Sequence, residues 1–213
     1  FLPTQIEDFN QVIANANDNV ASETRLIIGP WGHANEVTLP NSQQKLPYRP
    51  ASLAPSIPWF DYNLGIGKDK FDLPKVKIFV LGHNKWRNEN EWPLKRTQYT
   101  HFYLHSNGKA NSVSGDGWLD EKIPKSEEPS DSFLYDPLNP VPSAGGAMLG
   151  PRSGIYLQNS IELRSDVLIY STHTLPEPVE VTGPVRLIIY VHTNAVCTDF
   201  TAKLVDVHPN GNA

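Results

Sequence analysis

Apolar and polar positions follow three rhythms along the chain. From Pro3 to Ile13 the apolar residues Ile6, Phe9 and Ile13 recur at helical spacing, which puts them on one stripe. Pro3 suits a first helical turn, and Glu7 and Asp8 follow it closely, so the spacing predicts a helix over residues 3–13. Arg25-Leu26-Ile27-Ile28 then runs apolar without alternation and stops at Gly29-Pro30. A run of this kind suits a strand buried on both faces, and the glycine and proline end its pairing and force a turn. A lone strand cannot bury both faces. Helix and strand together therefore predict an αβ unit whose remaining strands are supplied from elsewhere. Between Ala34 and Pro58, Pro40, Pro47, Pro50, Pro55 and Pro58 argue against any long element. Trp59 to Leu64 predicts a short helix stopped by Gly65 and Gly67.

From Lys75 onward the rhythm becomes that of short strands separated by turn residues. Val76–Leu81, Tyr99–His105, Asp131–Tyr135, Val167–Tyr170, Val185–Thr193 and Thr198–Val207 are rich in β-branched and aromatic residues and predict strands. In the longest, Val185, Leu187, Ile189 and Val191 share one face, and Arg186, Ile188, Tyr190 and His192 share the other. Helical stripes are absent from this part, which predicts an antiparallel sandwich or jelly roll. Gly183-Pro184 precedes one long strand, and Pro209-Asn210-Gly211 predicts a tight turn after the next. Pro137–Gly150 reads as a crossover loop between two sheets. The chain opens on a helix without an initiator methionine and ends two residues past a turn, so a piece of a longer polypeptide is expected.

Composition narrows the function classes. Lys and Arg total 18 against 23 for Asp and Glu over 213 residues, a net charge of -5 spread without long blocks. Nothing in that balance recruits nucleic acid or an anionic membrane, and no apolar run approaches the roughly 20 residues of a membrane-spanning helix. The single cysteine, Cys197, excludes an internal disulfide and a thiolate metal cluster, and without a helix start or cation beside it reads as a packed or loop thiol. His101 and His105 lie four apart in an alternating segment. On a strand they share a face but stand about 13 Å apart, too far to share an ion. Asp199 and Asp206 lack the clustered acidic neighbours of a calcium loop. No metal and no cofactor is expected.

Gly29-Pro30-Trp31-Gly32-His33 leaves an imidazole at the carboxyl end of the buried strand, where an open α/β sheet keeps its chemistry. Taken alone, such a histidine is an ordinary loop residue. The motif does not stand alone: Arg25 to His33, Val76 to Trp92 (VKIFVLGHNKWRNENEW), Tyr135-Asp136-Pro137 with Pro140-Val141-Pro142, and Glu180 to Asp206 occur in one order and spacing. Together they resemble the cocaine-esterase and X-Pro dipeptidyl-peptidase group of serine hydrolases, the CocE/NonD acyl hydrolases. The resemblance implies a mainly β chain: a C-terminal jelly-roll β-sandwich, galactose-binding-like, over residues 59–213, preceded by the last αβ unit of an α/β-hydrolase domain over residues 1–58. It implies that His33 is the general base of a Ser-Asp-His triad acting on a small-molecule ester or amide through an acyl-serine intermediate.

No Gly-x-Ser-x-Gly elbow occurs in these residues, and neither Asp8 nor Asp18 matches the family's Trp-x-Asp segment. The nucleophile and the triad aspartate are thus expected from the rest of the hydrolase domain, outside this chain segment, and residues 1–213 alone are expected to be inactive. Trp86 and Trp92, with Glu89 and Glu91 between them, are candidates for the wall of the acyl pocket or for packing anchors between domains. The competing reading is a carbohydrate-binding or structural β-sandwich with Trp86, Trp92 and Trp118 as stacking platforms, which leaves the His33 motif without a role. Compartment is open, and so is a homo-oligomer.

Overall fold

The apolar stripe of the first segment becomes helix α1, Leu2–Asn15, whose Phe9 is buried at 6% exposure. A computed structural model describes residues 2–33, 36–38, 45–47, 52–67, 70–125, 127–150 and 152–213. Phe9 forms a core with Leu26, Val76 and Ile78, and Ile6, Ile13, Ile28, Val80 and Trp92 pack around it. A second helix, α2 (Asp18–Glu23), is capped by Asn17, whose side chain accepts the Val20 N–H at 3.0 Å. That cap is the signal for a helix in a stretch that the hydrophobic pattern leaves as linker.

The core sheet has the order β1–β4–β5, with β1 at Leu26–Ile28, β4 at Val76–Val80 and β5 at Lys85–Glu89. β1 and β4 run parallel, Leu26 opposite Val76 and Ile28 opposite Ile78. Parallel strands need a crossover connection, and the chain between them carries helix α3, Ser56–Asn63. α3 ends near the expected glycine stop, where Gly65 takes a φ of 67°. Trp59 of α3 donates its indole N–H to the Glu23 carbonyl at 2.7 Å. Arg25 fastens the start of β1 to the segment before β4, donating from Nε to the Leu73 carbonyl at 2.9 Å while its guanidinium lies 4.7 Å from the Phe71 ring centre. β4 and β5 form an antiparallel hairpin, Phe79 opposite Trp86 and Val76 opposite Glu89, turned at Gly82 and Asn84, both at positive φ. Strands β2 (Glu36–Thr38) and β3 (Lys45–Pro47) make a two-stranded antiparallel ribbon in the proline-punctuated stretch. Pro40 and Pro50 of that stretch lie outside the described residues.

The chain divides into two compact units, Phe1–Thr97 with Ala144–Tyr156, and Gln98–Ser143 with Leu157–Ala213. Within the first unit β4 and β5 join β1 in one sheet. The stretch expected to be a simple crossover, Pro137–Gly150, is shared: residues from Ala144 onward fold with the first unit.

In the second unit β6 (Tyr103–His105) and β7 (Trp118–Asp120) pair antiparallel, His105 opposite Trp118. The segment expected as a strand over Val167–Tyr170 lies along them through isolated bridges, Asn111 to Leu168 and Trp118 to Ser171. Gly117 permits this approach, since a Cβ there would stand 2.1 Å from the Ile169 carbonyl oxygen. A one-turn helix, α4 (Asn159–Glu162), receives the chain end, with Gln158 N–H donating to the Ala213 carbonyl at 2.7 Å. The expected turn at Pro209-Asn210-Gly211 is present, with Gly211 at φ 82°. Asp131–Tyr135, Val185–Thr193 and Thr198–Val207 differ from expectation: no described residue pairs with them in a ladder. Alternation alone does not make a strand without a partner for its backbone groups, and both faces of the longest run stay exposed, Val185 at 64% and Tyr190 at 99%.

Candidate active-site turn

The sheet has two unlike faces. Val76 and Ile78 face α1, while Phe79 and its cross-strand partner Trp86 occupy the other face, rings 5.3 Å apart and nearly perpendicular. Beyond Ile28 the chain turns back over that second face. The Trp31 ring lies across Gly29, where a Cβ would come within 2.3 Å of it, and meets Trp86 at 5.7 Å between ring centres. Lys77 adds its ammonium 5.1 Å from the Trp86 ring centre. The glycine of the motif is thus required by the tryptophan two residues later.

His33 follows at the end of this turn with an exposed side chain. Its backbone N–H donates to Ser153 Oγ at 2.6 Å, across 120 residues of sequence. Gly32 lies against the same serine: a Cβ there would stand 2.7 Å from Ser153 Oγ and 3.2 Å from Gly154 N. Nothing local to residue 153 marks it in the sequence as the neighbour of residue 33.

The other expected site residues, Trp86 and Trp92, lie on opposite faces of the sheet. Trp86 stands 39% exposed on the face carrying Trp31, whereas Trp92 packs against the core cluster that includes Phe9 and Val76. Between them Glu89, 8% exposed, accepts from Arg87 Nε at 2.6 Å and from both terminal nitrogens of Arg96. The Arg96 hydrogen bonds, against the cost of burial and helped by Arg87, hold the Glu89 carboxyl below the usual carboxylate range. Glu89 is therefore a paired structural anion. Asp8 and Asp18 are exposed on α1 and α2. A groove of about 380 Å³ runs along α1 and the outer edge of β1, lined by Asp8, Phe9, Val12, Arg25, Leu26 and Ile27 among others. Among the described residues β1 has no strand on that edge.

The second unit holds a buried polar group in which His105 and Ser106 are neighbours in sequence. His105 is 4% exposed, with Nδ1 2.9 Å from Glu128 Oε1, Nε2 2.9 Å from the Lys122 carbonyl and 3.2 Å from Asp120 Oδ1, and its ring stacked on Trp118 at 5.0 Å. Burial disfavours its charge, but the bonds to Glu128 and the Lys122 carbonyl and the nearby carboxylates outweigh that and raise its pKa. Both ring nitrogens are engaged, so His105 has no free lone pair for proton abstraction. Ser106 donates instead to Asp131 Oδ2 at 2.6 Å, as does the Tyr170 hydroxyl at 2.6 Å, while Ala110 N–H donates to Oδ1 at 2.8 Å. Burial works against the Asp131 charge, but the three donors prevail and lower its pKa, while burial and Asp131 push the Tyr170 hydroxyl up. Among the described residues no three His, Cys, Asp or Glu side chains group as metal ligands. Cys197 is exposed, and Trp118, as the stacking partner of His105, is not a free platform.

Residues 69–213 match the sequence profile of the X-Pro dipeptidyl-peptidase C-terminal non-catalytic domain. The chain is 44% identical over 201 residues to the cocaine esterase of Rhodococcus sp. strain MB1 Bresler, a match covering 90% of this chain and 34% of that protein. It thus spans about a third of that relative's length. That match reaches past the start of the profile into the residues around His33. A crystal structure of an aminopeptidase from a marine sediment archaeon of the Thaumarchaeota shares the fold at a TM-score of 0.50 and 24% identity, over 72% of this chain and 25% of that one.

Proposed function

The chain belongs to the family of the X-Pro dipeptidyl-peptidase C-terminal non-catalytic domain, within the cocaine-esterase group of serine hydrolases, and from that premise we propose that His33, outside the matched domain, is the general base and acid of a Ser-Asp-His triad. The neutral imidazole takes the proton of a serine hydroxyl as it attacks the acyl carbon of a small ester or amide. The same proton passes to the leaving group as the acyl-serine forms, and the cycle repeats with water to release the acid. A carboxylate holds the ring in the required tautomer and stabilises the imidazolium. The serine and the carboxylate come from hydrolase-domain residues other than these.

The observation that carries this reading is the position of His33 after β1, a strand paired in parallel with β4. Catalytic groups of open parallel sheets sit beyond the carboxyl ends of strands. Among the described residues the outer edge of β1, bordered by the groove along α1, is unpaired, which supports a sheet continued by further strands. Hydrolysis of a p-nitrophenyl ester tests the proposal in the 213-residue chain and in a longer polypeptide of the same gene. The short chain should be inactive and the longer one active, with His33→Ala lowering kcat by roughly four orders of magnitude. Activity that survives His33→Ala contradicts the proposal.

A further inference from the structure

The turn that carries His33 is braced by Ser153, from a hairpin 120 residues away in sequence. Gly146 and Gly154 close that hairpin through two backbone hydrogen bonds, Gly146 N–H to the Gly154 carbonyl at 2.7 Å and the reverse at 3.0 Å. Gly145, Gly146 and Gly154 have φ of 66°, 83° and 100°. A Cβ on Gly145 would stand 2.4 Å from the Gly154 carbonyl oxygen, so the hairpin is as tight as glycine allows. Ser153, one residue before that closure, is 9% exposed, and its own N–H donates to the Gly150 carbonyl at 3.2 Å. Its hydroxyl oxygen is thereby aimed at the His33 amide, which it accepts at 2.6 Å.

We propose that Ser153 is a positioning residue for His33: by accepting the His33 amide proton it fixes the peptide plane from which the imidazole projects. The inference rests on the reading of His33 as the triad base. Fixing that plane sets the direction of the Cα–Cβ bond, so the ring is delivered toward a nucleophile without paying to order the turn in each cycle. Gly32 works to the same end, because the absence of a Cβ lets the serine come within hydrogen-bond reach of residue 33. Ser153→Ala removes the acceptor that the His33 amide has among the described residues, whereas Ser153→Thr keeps an oxygen at the same place.

The test uses the shortest polypeptide of this gene that hydrolyses a p-nitrophenyl ester. Ser153→Ala should lower kcat roughly ten- to a hundredfold, the scale of a small misplacement of a catalytic group, while KM stays within about twofold. Ser153→Thr should recover most of the rate. Hydrogen exchange read by NMR on the 213-residue chain should show the His33 amide protected, and exchanging faster in Ser153→Ala. Wild-type kcat in Ser153→Ala beside an inactive His33→Ala overturns the role of Ser153 and leaves that of His33 intact. Equal losses in the alanine and threonine variants overturn it as well, by pointing to packing. If His33→Ala keeps full activity, the triad reading fails, and with it the positioning role, whatever the exchange shows.

Discussion

Around Val76 the first unit is closed by carbon, whereas around His105 the second is closed by hydrogen bonds. Val76 is 0% exposed, and Ile78, Phe9 and Leu26 are buried beside it. Among the described residues of the second unit Ala110 is the buried apolar one, and the other buried positions are His105, Ser106, Gln158 and Glu162. Apolar burial is indifferent to direction and pH and yields a stiff sheet, from whose strand end the exposed His33 turn projects. Buried polar groups are costly until every partner is in place, so the second unit holds one arrangement of its loops by geometry. The difference teaches where each kind of perturbation should act.

The largest effect should come from the carbon side. Ile78→Ala removes packed methyl groups from the centre of the β1–β4 sheet and should cost about 3 kcal/mol in urea unfolding of the first unit. A loss well under 1 kcal/mol would mean that this core is loosely packed. Asp131→Ala should come next: it strips the acceptor from Ser106, Tyr170 and the Ala110 amide and should cost the second unit about 2 kcal/mol. Equal destabilisation of both units by either change would erase the contrast between them.

The smallest effect is the one that separates the two units by pH. The His105 pKa is raised in the folded state, so its charged interactions stabilise fully below the ordinary imidazole value and are lost as pH rises through the folded value. The urea midpoint of the second unit should therefore fall as pH is raised from the ordinary imidazole value of about 6.5 into the alkaline range, and His105→Gln should flatten the dependence. A midpoint that rises over this range would contradict the clasp.

The sheet side of this contrast was readable in the sequence to a definite point. Ile6, Phe9 and Ile13 announce α1 by spacing, and Leu26-Ile27-Ile28 announces a strand, since both signals are local, though of the three strand residues only Leu26 is buried. The partner of that strand was not readable: Val76–Val80 looks like the opening strand of a sandwich, and pairing direction across a crossover leaves no trace in either segment. His33 stood out through its motif, but Ser153, 120 residues away, is an unremarkable serine in a glycine-rich loop. The polar clasp was hidden for a related reason. His105, Glu128 and Asp131 acquire meaning only when distant loops converge, and a spacing argument about His101 and His105 looks at the wrong partners. Val185–Thr193 shows the reverse case, a strong strand pattern whose ladder depends on residues that do not pair with it here.

The account stands or falls on His33 as the activator of a serine, and the rate of covalent labelling by a fluorophosphonate probe measures that activation without reference to any one substrate. In a polypeptide of this gene that hydrolyses esters, His33→Ala should slow labelling by about a thousandfold or more, while the fold, followed by circular dichroism, is kept. Labelling at the wild-type rate in His33→Ala would show that another base activates the serine and that the turn after β1 is scaffold.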